Sequence, residues 1–252
     1  MIEVEGVSKS YGPARVVDDV SLTIARGGLT AIIGPNGAGK STLLSMIARL
    51  VPMDRGRVRV DGLDVAATKS DLLARRLAVL RQDNHIAARL TVRDLVAFGR
   101  YPHSKGRPTA EDKRHIDQAV EWLGLQDLED RFLDELSGGQ RQRAFVAMAL
   151  CQDTDYLLLD EPLNSLDMKH AAEMMKLLRR AADAFGKTVV VVLHDINFAS
   201  CYADRIVAMR QGRIAFDGAP DALMRPETLT AVYDMDIRVH PIEGRLFGVY
   251  HF

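Results

Sequence analysis

The residues Gly34-Pro35-Asn36-Gly37-Ala38-Gly39-Lys40-Ser41-Thr42 have the composition of a phosphate cradle. An apolar strand pattern, Leu29 to Ile33, runs into them, and a helical pattern, Ser41 to Leu50, runs out. The spacing Gly-x-x-x-x-Gly-Lys-Ser needs that setting of strand, loop and helix. Glycines let backbone N–H groups approach phosphate oxygens, and a helix N-terminus adds partial positive charge. Lys40 would reach the terminal phosphates, and the Ser41 hydroxyl could hold Mg²⁺. The plain competing reading is a glycine-rich turn beside an exposed lysine. The flanking strand and helix argue against it.

Asp160 and Glu161 follow the apolar run Tyr156 to Leu159. Parallel sheets bind ligands at the carboxyl ends of their strands, and two adjacent carboxylates there can divide labour. Asp160 would hold Mg²⁺ through water, and Glu161 would polarise an attacking water. Alone, the pair reads as two solvated acids; a phosphate loop in the same chain changes that. Leu136-Ser137-Gly138-Gly139-Gln140 precedes a helix, Arg141 to Cys151. Ser137 is a good N-cap, and two glycines leave amides uncovered, which makes a second anion-binding helix start. An ordinary Ser-Gly-Gly turn is the alternative. Two such loops either serve separate ligands or meet across an interface between two copies.

The elements that must position these residues are legible in outline. Ile2 to Val7 and Val20 to Ile24 read as strands, separated by turn residues Tyr11-Gly12-Pro13, and Arg57 to Val60 closes on Asp61-Gly62. Asp71 to Arg76 suits a short helix and Ala78 to Arg81 a strand. From about His85 to Cys151 the pattern is helical. Thr91 and Asp94 resemble a capping box, Thr109 can cap a helix holding Ile116, Val120 and Leu123, and Tyr101 to Pro108 reads as a loop. Strand and helix then alternate again: Tyr156 to Leu159, Lys169 to Ala184, Thr188 to Leu193. Hairpins are expected at Gln211-Gly212 and around Glu243-Gly244. Runs of β-branched residues between helices point to a mainly parallel sheet covered on both faces, so the fold class is α/β with a helical insertion.

The totals exclude several classes. With 252 residues, 47% of them hydrophobic, the chain can bury a core in one domain or two close lobes. With a formal net charge of -1, bulk attraction to nucleic acid is not the organising principle. Cys151 and Cys201 are far apart and apolar in context, read as reduced cytosolic thiols, and the histidines show no metal-ligand spacing. The start has no secretory pattern, and the longest apolar runs fall far short of the roughly 20 residues a membrane helix needs.

Taken together, these motifs resemble the nucleotide-binding subunits of ABC transporters over residues 1–220. Gly34–Thr42 corresponds to Walker A, Leu136–Gln140 to the family signature, and Tyr156–Glu161 to Walker B. The resemblance implies a P-loop NTPase core with an N-terminal antiparallel β subdomain, spanning 1–84 and 152–220. It also implies a helical subdomain over 85–151 and an extension over 221–252, all one ABC ATPase domain. It implies that the signature of one copy completes the ATP site of a second in a head-to-tail dimer. Tyr11 matches the aromatic that stacks on adenine, and Gln82 the glutamine that senses Mg²⁺ and the attacking water. Ser165 and Asp167 match the loop that faces the other copy, and His194 the switch histidine at the γ-phosphate. The implied cofactors are ATP and Mg²⁺. The implied partners are a transmembrane permease and, indirectly, a substrate-binding protein, with the chain peripheral on the cytoplasmic face of the plasma membrane.

Arg81 to His85, Leu90 to His103, Asp160 to His170 and the Tyr233-Asp-Met-Asp-Ile tail are most similar to the ATPases of iron–siderophore importers. Haem or vitamin B12 import is the nearest alternative. A soluble ABC ATPase usually carries two cassettes or long coiled-coil insertions. A P-loop small-molecule kinase lacks Leu-Ser-Gly-Gly-Gln, and Glu161 with His194 disfavours a non-catalytic cassette. Residues 75–107 also hold Arg75, Arg76, Arg81, Arg89, Arg93, Arg100, Lys105 and Arg107, opposed by Asp83 and Asp94. That basic stretch is expected to meet permease loops near anionic headgroups, where each basic residue gains roughly 1 kcal/mol. The bland alternative is a solvated helix face.

Overall fold

A computed structural model describes residues 1–82, 84, 86 and 88–250. Asp83 and His85, both named above, lie outside the described residues. The chain divides into two compact units, residues 1–68 with 179–252 and residues 69–178.

The first unit opens on β1 (Ile2–Tyr11) and β2 (Ala14–Ile24), an antiparallel hairpin turning at Gly12-Pro13. Both strands are longer than their hydrophobic alternation suggests. Register shifts between Val4 and Ser10 break the period of two, which hides the strand from pattern reading. β3 (Leu29–Ile33) is buried at every residue and delivers the chain to α1 (Lys40–Ile47). β4 (Arg55–Val60) pairs with β1, and β5 (Leu63–Asp64) finishes that antiparallel sheet.

The second unit carries α2 (Ser70–Ala74) and then β6 (Leu77–Leu80). Helices α3 (Val92–Phe98), α4 (Tyr101–Ser104), α5 (Ala110–Trp122) and α6 (Gly138–Cys151) follow. Thr91 with Asp94 and Thr109 with Asp112 both form capping boxes. α4 corrects the expected loop: Pro102 falls in its first turn, where a missing N–H costs nothing, and Lys105 ends it in the left-handed region. β7 (Tyr156–Asp160) runs parallel to β6 in register Leu77 to Tyr156. α7 (Met168–Phe185) carries the chain onward.

Back in the first unit, β8 (Thr188–Val192) is wholly buried and pairs in parallel with β3. α8 (Ile196–Tyr202) leads to β9 (Arg205–Arg210), parallel to β3 on its other side, and β10 (Arg213–Gly218) turns back antiparallel at Gln211-Gly212. α9 (Pro220–Leu223), α10 (Pro226–Tyr233) and the hairpin of β11 (Arg238–Ile242) and β12 (Arg245–Val249) complete the chain. The four-valine run fits a central parallel strand, which presents apolar side chains to both faces. Among the described residues, no helix is long and apolar enough to cross a membrane.

Candidate active site

In the first unit, β3 places Gly34 at its carboxyl end, and three glycines of the loop have positive φ: Gly34 at 137°, Gly37 at 77° and Gly39 at 99°. A Cβ on Gly34 would lie 2.1 Å from the Met209 carbonyl oxygen, and one on Gly39 2.4 Å from that of Val16. Only glycine fits at these two positions. Lys40 is buried, and its Nζ donates to the carbonyl oxygens of Gly34 at 2.9 Å and Pro35 at 3.0 Å. The loop thus curls around its own ammonium. Gly39 has no side chain to cap α1, so the first-turn amides of Lys40, Ser41 and Thr42 have no partner inside the helix. Buried ammonium, helix start and exposed Asn36 and Gly37 form a cradle suited to an anion of several charges.

Two further expected residues belong to this unit. Tyr11 ends β1 with 51% of its surface exposed, and Lys9 Nζ stands 5.6 Å from its ring centroid. An exposed ring can stack on a base. His194 is exposed just beyond β8, and Asp195 next to it caps α8 by accepting from Asn197 N and Phe198 N.

The second unit holds the carboxylates. Asp160 and Glu161 are each 7% exposed at the end of β7. Glu161 has φ 50°, a left-handed conformation that is strained for a residue with a side chain. Its Oε2 accepts from Gln82 Nε2 at 2.8 Å and from Asn164 Nδ2 at 2.7 Å. Two amide donors on one oxygen fix the carboxylate's orientation. Sequence reading found Gln82 but missed Asn164. Its signal was an asparagine three residues after the acid, inside Glu-Pro-Leu-Asn.

Ser137 caps α6: its Oγ accepts from Gln140 N at 3.3 Å, and Gln140 Oε1 accepts from Ser137 N at 3.0 Å. The reciprocal box leaves the Gly138 and Gly139 amides as the uncapped pair. A Cβ on Gly138 would touch Ser165 Cβ at 3.4 Å, and one on Gly139 would crowd Leu166 Cδ2 at 3.3 Å. The structure therefore brings the 164–167 loop against the start of α6. Asp167 caps α7, accepting from His170 N and from its Nδ1, each at 2.8 Å, and these bonds lower its pKa. The cap noticed in the sequence is real, and the carboxylate is still largely exposed.

Ser41, Gln82 and Asp160 offer a hydroxyl, an amide oxygen and a carboxylate, hard oxygen donors of the kind Mg²⁺ prefers. Gln82 donates its Nε2 to Glu161, which leaves its Oε1 as an acceptor. Among the described residues no cluster of three or more His, Cys, Asp or Glu could hold a metal alone.

The basic stretch 75–107 needs correcting. Arg100 is 4% exposed, with Nε donating to Asp112 Oδ1 at 2.9 Å and Nη1 to the Cys151 carbonyl at 3.1 Å. Arg93 pairs with Asp117 and Glu129, Arg89 with Asp134 and Glu135, Arg76 with Asp155, and Lys105 with Asp71. Acids distant in sequence pair with five of the run's eight basic residues, and Arg100 is too buried to meet a partner, so the run presents less free charge than its sequence suggests.

Comparison with known proteins extends these observations. The family model for ABC transporter matches residues 17–164. Over 250 residues the chain is 52% identical to the petrobactin import ATP-binding protein YclP of Bacillus subtilis (strain 168), covering 99% of each. It is 40% identical over 244 residues to the ferric enterobactin transport ATP-binding protein FepC of Escherichia coli (strain K12), covering 95% of this chain and 90% of that one. Among solved structures it is similar to a dimeric post-hydrolysis state of the ATP-binding cassette MJ0796 bound to ADP and Pi. The TM-score is 0.79 and the identity 28%, over 87% of this chain and 99% of that one.

Proposed function

The chain belongs to the ABC transporter family, and from that premise we propose that it is the ATP-hydrolysing motor of a membrane importer for ferric siderophores. The observation that carries the reading is the loop Gly34–Thr42. Its ammonium is buried among its own carbonyls, and at two of its glycines a Cβ would strike backbone. The cargo class rests on relatives whose names specify petrobactin and ferric enterobactin.

In this reading the amides of residues 37–42 and Lys40 hold the phosphates of ATP, and Tyr11 stacks on the adenine. Such stacking contributes about 1–3 kcal/mol per base in single-strand binders. Ser41, Gln82 and Asp160 hold Mg²⁺, directly or through water. Bound Mg²⁺ supplies neutralisation of charge on the β- and γ-phosphate oxygens. Glu161 orients the attacking water and takes its proton as the water oxygen bonds to the γ-phosphorus and the bridging oxygen leaves with ADP. Gln82 and Asn164 keep that carboxylate aimed, and His194 donates to the γ-phosphate.

A second copy supplies Ser137, Gly138, Gly139 and Gln140 over the nucleotide, with Asp167 facing it, so hydrolysis opens the dimer. A permease takes up that motion through the region around Gln82, the helical subdomain 85–151 carries the signature, and the chain works as a peripheral subunit on the cytoplasmic face of the membrane. A substrate-binding protein delivers the cargo on the far side.

Uptake of radioactive iron as ferric petrobactin, in cells that depend on this chain, tests the reading. Lys40→Ala should abolish uptake while the protein still accumulates. Unchanged iron uptake together with lost haem or cobalamin uptake would replace the cargo assignment.

A further inference from the structure

The ring that would stack on the base, Tyr11, stands at an exposed strand end, and an acid outside every motif governs its surroundings. Lys9 and Tyr11 are two residues apart on β1, and the Lys9 ammonium stands 5.6 Å from the ring centroid, within cation–π range. Only 12% of the Lys9 side chain is exposed, although the ring beside it is open.

The residue that holds Lys9 there is Asp54, just before β4. Its Oδ1 accepts from Lys9 Nζ at 2.9 Å, and its Oδ2 accepts from Ser10 N at 2.7 Å. Its own backbone N–H donates to the Ser8 carbonyl at 2.9 Å. One residue thus ties down Ser8, Lys9 and Ser10, the three that lead into Tyr11. An ion pair at the surface adds little to stability. The consequence of this one is geometric, because the same carboxylate grips the amide before the ring and the ammonium beside it.

The hairpin that carries Tyr11 also rests on the phosphate loop. Lys9 pairs with Val17 but Ser10 with Arg15, which leaves Val16 as the extra residue of a bulge. The Val16 carbonyl oxygen lies 2.4 Å from the place a Cβ on Gly39 would take. The ring's place is therefore set relative to the start of α1, where the phosphates would sit.

We propose, on the reading that Tyr11 stacks on adenine, that Asp54 is a positioning residue for the base. It holds the Lys9 ammonium beside the Tyr11 ring and pins the strand end, so the ring is in place before nucleotide arrives. The cost of ordering that side chain is then met in the free protein rather than on binding.

Asp54→Ala in the full chain tests it, with Mg²⁺·ATP and Mg²⁺·tripolyphosphate as ligands, the second having phosphates and no base. Direct titration gives both dissociation constants. The Kd for ATP should rise roughly 2- to 10-fold while that for tripolyphosphate holds, and KM for ATP should rise with kcat little changed. Lys9→Met keeps the aliphatic stem without the charge and should show the same selective loss. Asp54→Asn keeps an acceptor for Ser10 N and should fall between Asp54→Ala and wild type. In a Tyr11→Ala background, Asp54→Ala should add little. Equal weakening of both ligands would mean that Asp54 only supports the fold. That result, wild-type affinity for ATP in Asp54→Ala, or full additivity with Tyr11→Ala overturns the proposal. Tyr11→Ala separates the two levels. If it weakens ATP alone while Asp54→Ala binds as wild type, only the role of Asp54 falls. If Tyr11→Ala binds ATP as wild type, base stacking and the proposal fall together.

Discussion

Gln82 Nε2 donates to Glu161 Oε2 over 2.8 Å, joining a residue just past β6 to the acid just past β7. Asn164 adds a second donor to the same oxygen at 2.7 Å. The acid itself stands in a left-handed backbone conformation, so its carboxylate is aimed both by main-chain geometry and by two amides. A general base held this way pays little reorganisation cost when water attacks.

Glu161→Gln should therefore leave ATP binding intact and remove turnover. A general base contributes about 10²–10⁴-fold, and the amide cannot take a proton from water. Phosphate release under single-turnover conditions measures the loss, and size exclusion with ATP should show a longer-lived dimer. Turnover near wild type would contradict the role given to Glu161.

Asn164→Ala should lower kcat without moving KM for ATP, because it removes no contact to phosphate or Mg²⁺, whereas Gln82→Ala should lower kcat and raise KM as well, because it also removes an oxygen that would hold Mg²⁺. A hydrogen bond to a charged group is worth about 1.5–3 kcal/mol, so a fall of roughly tenfold is expected where about half of that is felt in the transition state. A change confined to KM would show that these amides serve binding rather than aim.

The loop glycines differ in what they tolerate. Gly34→Ala places a Cβ 2.1 Å from the Met209 carbonyl at φ 137°, so the loop must move or the unit unfold, at a cost above about 2 kcal/mol. Gly37 has φ 77° with nothing within 4 Å of its Cβ position. Gly37→Ala meets only the left-handed penalty of about 1–2 kcal/mol. Urea denaturation and ATP titration of both variants check the order; equal losses would mean that the Met209 contact is not what restricts Gly34.

These glycines were legible in the sequence because their pattern is local. Strand, loop and helix are contiguous, and the spacing from Gly34 to Ser41 can be read without the rest of the chain. The caps at Thr91 and Thr109 were legible for the same reason, since each partner lies three residues away. What the sequence hid is contact over distance. Arg100 looked solvated because Asp112 and the Cys151 carbonyl approach it only once α3, α5 and α6 pack together.

Arg100 and Asp112 yield the last prediction, and it reverses the docking test their charges first suggest. Both side chains are 5% exposed. Removing one partner of such a buried pair costs about 3–5 kcal/mol, because the other is left charged and uncompensated. Arg100→Glu should therefore unfold the helical region before any permease is involved, whereas Arg107→Glu, at an exposed position, should change stability by no more than about 0.5 kcal/mol. The pair also sets an acid limit. The Thr109 backbone amide, then Arg100 and the Thr109 hydroxyl, hold the Asp112 carboxyl at about 2, below its ordinary 3.8. A folded-state value below the unfolded one stabilises above the unfolded pKa, and that stability is lost as pH falls through the folded value. Chemical denaturation between pH 5 and about 2 should show stability falling across this window, and Asp112→Asn should flatten the slope while lowering stability at neutral pH. An unchanged acid slope in Asp112→Asn would place the acid-sensitive group elsewhere in the protein.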